Sequence, residues 1–324
     1  AHHCMRRKGT GQWSGKKGKQ MGFTNFPHGI TSFGVPIFGS GQRDISGSTY
    51  FVDNNSGSDS NDGSSFERAF KTLAKAVAVS NVDIARGSDR WARRNTIYYC
   101  ADTETADLVA FPNKCDVIGV GSYDANTKPG ITGNHVPVNA GNYGTRFYNI
   151  WFKAPADASP IVTLASTSSG IQFINCTFSA TATTTIGIQA TASPFLKIYG
   201  CRFQGAYVTA AISIAKGEAG STEIVGNDIM QSAAVGILIN AETTCSWPST
   251  IKDNLIQAAT ITIDDNSDLF YITGNELISA AAGATVGTMA DEMQCDLNVF
   301  RASNNRLACS NVCGVAVPPV DTTT

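Results

Sequence analysis

FINCTF (173–178) is followed by IYGCRF (198–203), and the two hexapeptides share an apolar first residue, a cysteine in fourth place and Phe in sixth. The same frame continues as IVGNDI (224–229), IKDNLI (251–256), ITGNEL (272–277) and ASNNRL (302–307), and reaches back to FYNIWF (147–152). Fourth-position residues are Ile150, Cys176, Cys201, Asn227, Asn254, Asn275 and Asn305, separated by 26, 25, 26, 27, 21 and 30 residues. A period near 25 with variable insertions marks a solenoid in which one supersecondary unit recurs per coil.

The third position explains the bend. It reads Asn149, Asn175, Gly200, Gly226, Asp253, Gly274 and Asn304, all residues that tolerate positive φ. A strand that ends on such a residue turns sharply, and the fourth and sixth positions then point inward on the next strand. Downstream of the frames come apolar pairs on alternate residues, Ile186/Ile188, Ile212/Ile214, Ile237/Ile239 and Ile261/Ile263, the period of a half-buried strand. Parallel coils ~4.8 Å apart place equivalent residues above one another, so the seven frames predict a stack rising roughly 29 Å. The leucine consensus of leucine-rich repeats and the longer blades of propellers are absent.

The frame I-x-G-N-x-I followed by G-I-x-I resembles the right-handed parallel β-helix repeat of pectate-lyase-like proteins, over residues 147–307. TIYYC (96–100) and CDVIGVGS (115–122) read as early rungs, and 123–145 as a Gly/Asn-rich insertion. Residues 50–80 resemble the entry of such solenoids, where V-D-x-x-x-G-S-D-S-N-D-G leads into an amphipathic helix that plugs the open end. Ser64 and Glu67 fit a capping box, and Phe66, Phe70, Leu73 and Val77 predict one apolar helical face. An end rung left bare would expose strand edges and core. The Asp-rich loop does not fit an EF-hand, since Ser64 and Phe70 stand where Gly and Glu are required, and it reads as a solvated loop. The expected fold is all-β, a right-handed parallel β-helix with an N-terminal capping helix and an extended anchor. Its boundaries are 1–20 basic arm, 21–48 anchor, 49–94 entry strand, loop and helix, 95–310 β-helix and 311–324 tail.

Composition narrows the function. No run of about 20 apolar residues exists, so no membrane span is expected. The first twenty residues hold six basic side chains and no acid, and without them 18 basic face 26 acidic residues. That arm reads as vector or upstream sequence ahead of a start at Met21, with no signal peptide, and the acidic remainder argues against nucleic acid as the principal ligand. Nine scattered cysteines predict reduced thiols made in a cytosol, and four histidines leave little for a metal or triad site. No cofactor and no metal are expected.

A β-helix is a scaffold, and its function sits on outer faces and loops. MGFTNFPHGITSFGVPIFGSGQ (21–42) has no acidic residue and no Lys or Arg, and its Phe and Pro in Gly-rich chain suit a segment ordered by lying on a partner. From Met21 it is similar to the starts of structural proteins of marine tailed phages. Phage tailspikes, head fibres and capsid spikes use this β-helix, generally as trimers behind a short anchor. The resemblance implies a virion protein assembled in the host cytoplasm and attached to capsid or tail through Phe23, Phe26, Pro27, Phe33 and Pro36. Small uncharged residues in SATATTTIG, AYVTAAISIA and QSAAVGILI would form flat faces for a homotrimer. Trp151, Tyr207 and Trp247 are candidates for stacking on host-surface polysaccharide. The alternative is a polysaccharide lyase or glycosidase, for which the outward Asp228 and Glu276, two rungs apart at about 9.6 Å, stand near the upper limit for an inverting pair, with Asp264, Asp265 and Asp268 as another acidic loop. No motif of either enzyme class accompanies them. A bacterial adhesin or surface-layer module is a third reading, and the missing secretion signal speaks against it.

Overall fold

The computed structural model describes residues 30–32, 35–38 and 47–308, apart from 87–91, 122–127, 139–141, 166–167, 182, 192, 216–220, 232–234, 241–248, 260, 266–269, 280–284, 287–294, 297–298 and 303–304. The chain divides into two units, Ala1–Asp44 and Ile45–Thr324. In the first, Ile30–Ser32 pairs antiparallel with Val35–Phe38. A short hairpin therefore interrupts the segment expected to be extended.

The second unit is a parallel β-solenoid. Its first sheet runs from Thr49–Asp53 through Asn95–Cys100, Cys115–Gly119, Arg146–Tyr148, Gln172–Ile174, Lys197–Tyr199, Glu223–Val225, Ser249–Lys252 and Phe270–Thr273 to Cys295–Asp296. A second sheet takes up the chain after each bend, with Trp151–Lys153, Thr177–Ser179, Arg202–Gly205, Asp228–Gln231, Leu255–Ala258 and Glu276–Ser279 in register. A six-stranded third sheet begins at Val162–Leu164 and includes Ile186–Ala190, Ala210–Ala215, Val235–Asn240 and Ile261–Asp265. There Ile188, Ile212, Ile237 and Ile263 form one column. Ile186, Ile188, Ile212, Ile214, Ile237, Ile239 and Ile263 are buried as expected of inward positions, but the Ile186/Ile188 and Ile261/Ile263 pairs sit two residues out of step with the middle two. A shift of two keeps the same face, which is why alternation could not reveal it.

The bend residues adopt the backbone their identities predict. Asn149, Asn175, Gly200, Gly226, Asp253 and Gly274 have φ of 55°, 54°, 58°, 66°, 54° and 66°. The seventh frame departs from the pattern. Ile272 pairs with Cys295 and Glu276 with Val299, so the rung after ITGNEL is CDLNVF (295–300). ASNNRL instead carries a reversal, in which Val299–Ala302 pairs antiparallel with Asn305–Ala308. The supposed insertion at 123–145 also holds part of a rung. Gly130–Thr132 pairs with Trp151–Lys153, Asn142–Tyr143 with Ser168–Ser169, and His135 bridges Val162.

The helix covers the entry end, but it starts later than the capping box suggests. Phe66–Arg68 is a single 3-10 turn, and the α-helix is Leu73–Ala85 with Thr72 as its N-cap, whose hydroxyl accepts from Lys75 N. Asp59 decides this start. Its carboxylate accepts from the backbone N–H of Lys71 and Thr72 and from the Thr72 hydroxyl, at 2.9, 3.0 and 2.9 Å. Buried Glu104 accepts from Leu73 N, adding a negative group at the positive end of the helix. Leu73, Ala76 and Val77 pack into the core beside Val52 and Ile97, and Ile84 is buried, while Phe66 stays 42% exposed. No helix among the described residues is long and apolar enough to cross a membrane.

Candidate functional site

The fourth-position column lies inside the solenoid and is structural. Asn254 Oδ1 accepts from Asn227 N and Nδ2, both at 2.9 Å, and Asn275 Oδ1 does the same for Asn254, at 3.0 and 2.9 Å. Each amide also donates Nδ2 to the first-position carbonyl of the preceding rung, Ile198, Ile224 or Ile251. Asn227 Oδ1 accepts from Cys201 N at 2.8 Å, and there the ladder ends. Cys201 and Cys176 point their thiols at the equivalent carbonyls, Phe173 and Phe147, at 3.4 Å. They are free and buried, occupying the asparagine slot with a weaker donor. Burial pushes the Cys201 thiol well above its usual range, so it is not a poised nucleophile.

The outer face of the second sheet carries Trp151, Thr177, Arg202, Asp228, Leu255 and Glu276 in one column. Asp228 and Glu276 are two rungs apart, as expected, and Arg202 Nε lies 3.7 Å from Asp228. That partly exposed ion pair contributes about 1 kcal/mol or less. The Trp151 indole N–H donates to Ser179 Oγ at 2.6 Å, and the Lys153 ammonium sits 3.9 Å from its ring centroid. One face of the ring is thereby occupied. Tyr207 requires a correction. It is fully buried, its hydroxyl donates to Phe178 O at 2.9 Å, and it lines the core where no glycan reaches. Trp247 lies outside the described residues, as do Phe23, Phe26, Pro27 and Phe33, and Pro36 stands in the hairpin opposite Thr31.

The first sheet presents a different surface. Its second-position residues stack as Phe51, Tyr98, Ile118, Tyr148, Ile174, Tyr199 and Val225. Strand alternation points them outward, and each is half-buried rather than covered. Phe51 and Tyr98 stack with ring centroids 5.5 Å apart. The neighbouring outward column is polar: Thr96, Asp116, Arg146, Gln172, Lys197, Glu223 and Thr250. Arg94 reaches Asp116 at 2.6 Å, and Lys197 Nζ reaches Glu223 Oε1 at 2.7 Å. The Tyr199 hydroxyl donates to the other oxygen of Glu223. Burial acts to raise the Glu223 carboxyl, but bonds from Lys197 and Tyr199 outweigh it and hold the group below its usual range. Glu223 is thus an anchored anion, unsuited to act as a general acid.

Sequence reasoning missed this ladder, although its signal was present. In FYNIWF, FINCTF, IYGCRF and IVGNDI the second residue is Tyr, Ile, Tyr and Val, apolar where an outward position should be polar. Among the described residues no group of three or more His, Cys, Asp or Glu is placed to hold a metal ion. No protein-family model, curated protein or solved structure matches the chain.

Proposed function

We propose that the chain is a structural protein of a phage particle, a β-solenoid spike or decoration protein that attaches to capsid or tail through residues 21–42. The observation that carries this reading is the self-sufficient entry end of the solenoid. Leu73–Ala85 covers the first strands, anchored by Asp59 and Glu104, so sealing the core does not require the Phe/Pro segment ahead of it. On this reading the apolar segment serves a partner, and its resemblance to the starts of phage structural proteins names the partner's kind. A homotrimer is the assembly this reading implies.

The test is composition and placement. Particles banded by density from the source culture should contain peptides of this chain, and immunogold should decorate capsid or tail. Chain lacking residues 21–42 should fold with unchanged circular dichroism but fail to bind such particles. Absence of the chain from banded particles overturns the reading. A 34.2 kDa monomer at micromolar concentration would overturn the trimer alone.

A further inference from the structure

We propose that the outer face of the first sheet is a track for one extended, neutral, β-1,4-linked glycan chain, with Tyr98, Tyr148 and Tyr199 as its stacking platforms. The proposal rests on the particle reading for its biological setting and assigns a glycan site to a face that neither Trp151 nor Tyr207 occupies. Its first ground is periodicity. Register places Ile118 between Tyr98 and Tyr148, and Ile174 between Tyr148 and Tyr199. The tyrosines therefore recur at every second rung, about 9.6 Å apart. That spacing is close to the two-residue repeat of an extended β-1,4-linked chain, in which alternate sugars present equivalent faces. Aromatic rings offer a broad apolar face with a polar tip, suited to a ligand that is itself apolar on its ring faces and polar at its rim.

The second ground is the edge of the track. The adjacent column supplies Arg146, Gln172, Lys197 and Glu223, which bring donors and acceptors with opposite charges alongside. Lys197 and Glu223 neutralise each other at 2.7 Å, and Glu223 in turn fixes the Tyr199 ring through its hydroxyl. Asp116, 3.9 Å from Arg146, brings the column to two acids and two bases, so the edge complements hydroxyl groups without favouring an ionic chain. Size is the third ground. From Tyr98 to Tyr199 the strip is about 19 Å long and one to two side chains wide, on the order of 200 Å². A stable protein–protein contact needs about 800 Å² per partner. The strip is too small for a second copy and fits a single polysaccharide chain.

The full chain should be retarded in a native gel cast with hydroxyethyl cellulose and should bind cellohexaose by calorimetry, but not maltohexaose, whose α-linked chain coils. Tyr148→Ala should weaken cellohexaose binding at least tenfold while leaving the melting transition within a few degrees. Tyr148→Phe should keep most of the affinity, because the ring rather than the hydroxyl is the platform. No binding of cellohexaose, or equal affinity of Tyr148→Ala and the parent, overturns the proposal. If Tyr148→Ala instead changes the oligomeric mass, the face is a subunit contact and the glycan track is wrong. None of these outcomes alters whether the chain is found in particles, so the two readings fail separately.

Discussion

The rungs from Phe147 to Phe203 and those from Ile224 to Leu277 share one backbone plan but fill it with different chemistry. In the earlier rungs Phe147 stacks on Phe173, and Phe152, Phe178 and Phe203 form a second stack with centroids 5.1 and 4.8 Å apart. Their fourth-position column is Ile150, Cys176 and Cys201, with no strong hydrogen-bonding side chain. In the later rungs Ile224, Ile251 and Ile272 replace one stack, Ile229, Ile256 and Leu277 replace the other, and three asparagines fill the column. A tight bend can thus be held by ring packing on both its flanks or by amides bonded from rung to rung. The solenoid changes from one solution to the other at Cys201, which accepts no ladder of its own but gives its N–H to Asn227.

The contrast predicts where each half breaks. Phe178→Ala, in the middle of the ring stack, should cost about 4 kcal/mol, seen as a lowered denaturant midpoint. In the later half Asn254→Ala removes an amide that makes four bonds and strands the N–H of Asn227, for about 3 kcal/mol. The matching change in the earlier half, Cys201→Ala, should cost only about 1 kcal/mol, since it loses a weak donor and a small volume. Equal losses for Asn254→Ala and Cys201→Ala would erase the proposed difference.

Acid sharpens the same comparison. His135 belongs to the aromatic half, fully buried with its ring 5.6 Å from Phe152, and its Nδ1 accepts from Leu108 N while Nε2 has no partner. Burial pushes its pKa down to about 4 from 6.5. The unfolded chain therefore takes up a proton before the folded one does. Stability is full above pH 6.5, falls as pH drops towards 4 and levels below that, by up to about 3 kcal/mol. Glu104 acts in the opposite sense. Burial raises its pKa, so its charge opposes folding as pH rises through that value, and acid relieves it. A melting series from pH 7.5 to 4 should show a net fall that flattens in His135→Asn, which keeps an acceptor without a titrating ring. An unchanged slope would remove His135 as the cause.

Much of the architecture was legible because the determinants are local and steric. Gly, Asn or Asp at the third position leaves few conformations that an L-residue with a larger side chain could share, and positive φ follows. Inward alternation of Ile188, Ile212, Ile237 and Ile263 was equally open to reading. What escaped depended on contacts across distance. Ser64 and Glu67 look like a helix start, yet Asp59 and Glu104 bind the N–H groups of residues 71 to 73 and move the start to Thr72. ASNNRL imitates the frame in composition, but pairing shows CDLNVF to be the true rung. Tyr207 looked available for a ligand and proved to be core, while the ladder of Tyr98, Tyr148 and Tyr199 emerged only once register aligned distant strands.

Side chains bonded from one coil to the next hold the later rungs in register, and those bonds can be observed directly. A through-hydrogen-bond NMR correlation should link the Asn254 Nδ2 amide to the Ile224 carbonyl, 2.9 Å away. The side-chain amides of Asn227, Asn254 and Asn275 should exchange with solvent as slowly as the core backbone around them. Side-chain amides that exchange like those of exposed asparagine, with no such correlation, would contradict the stacked asparagine ladder.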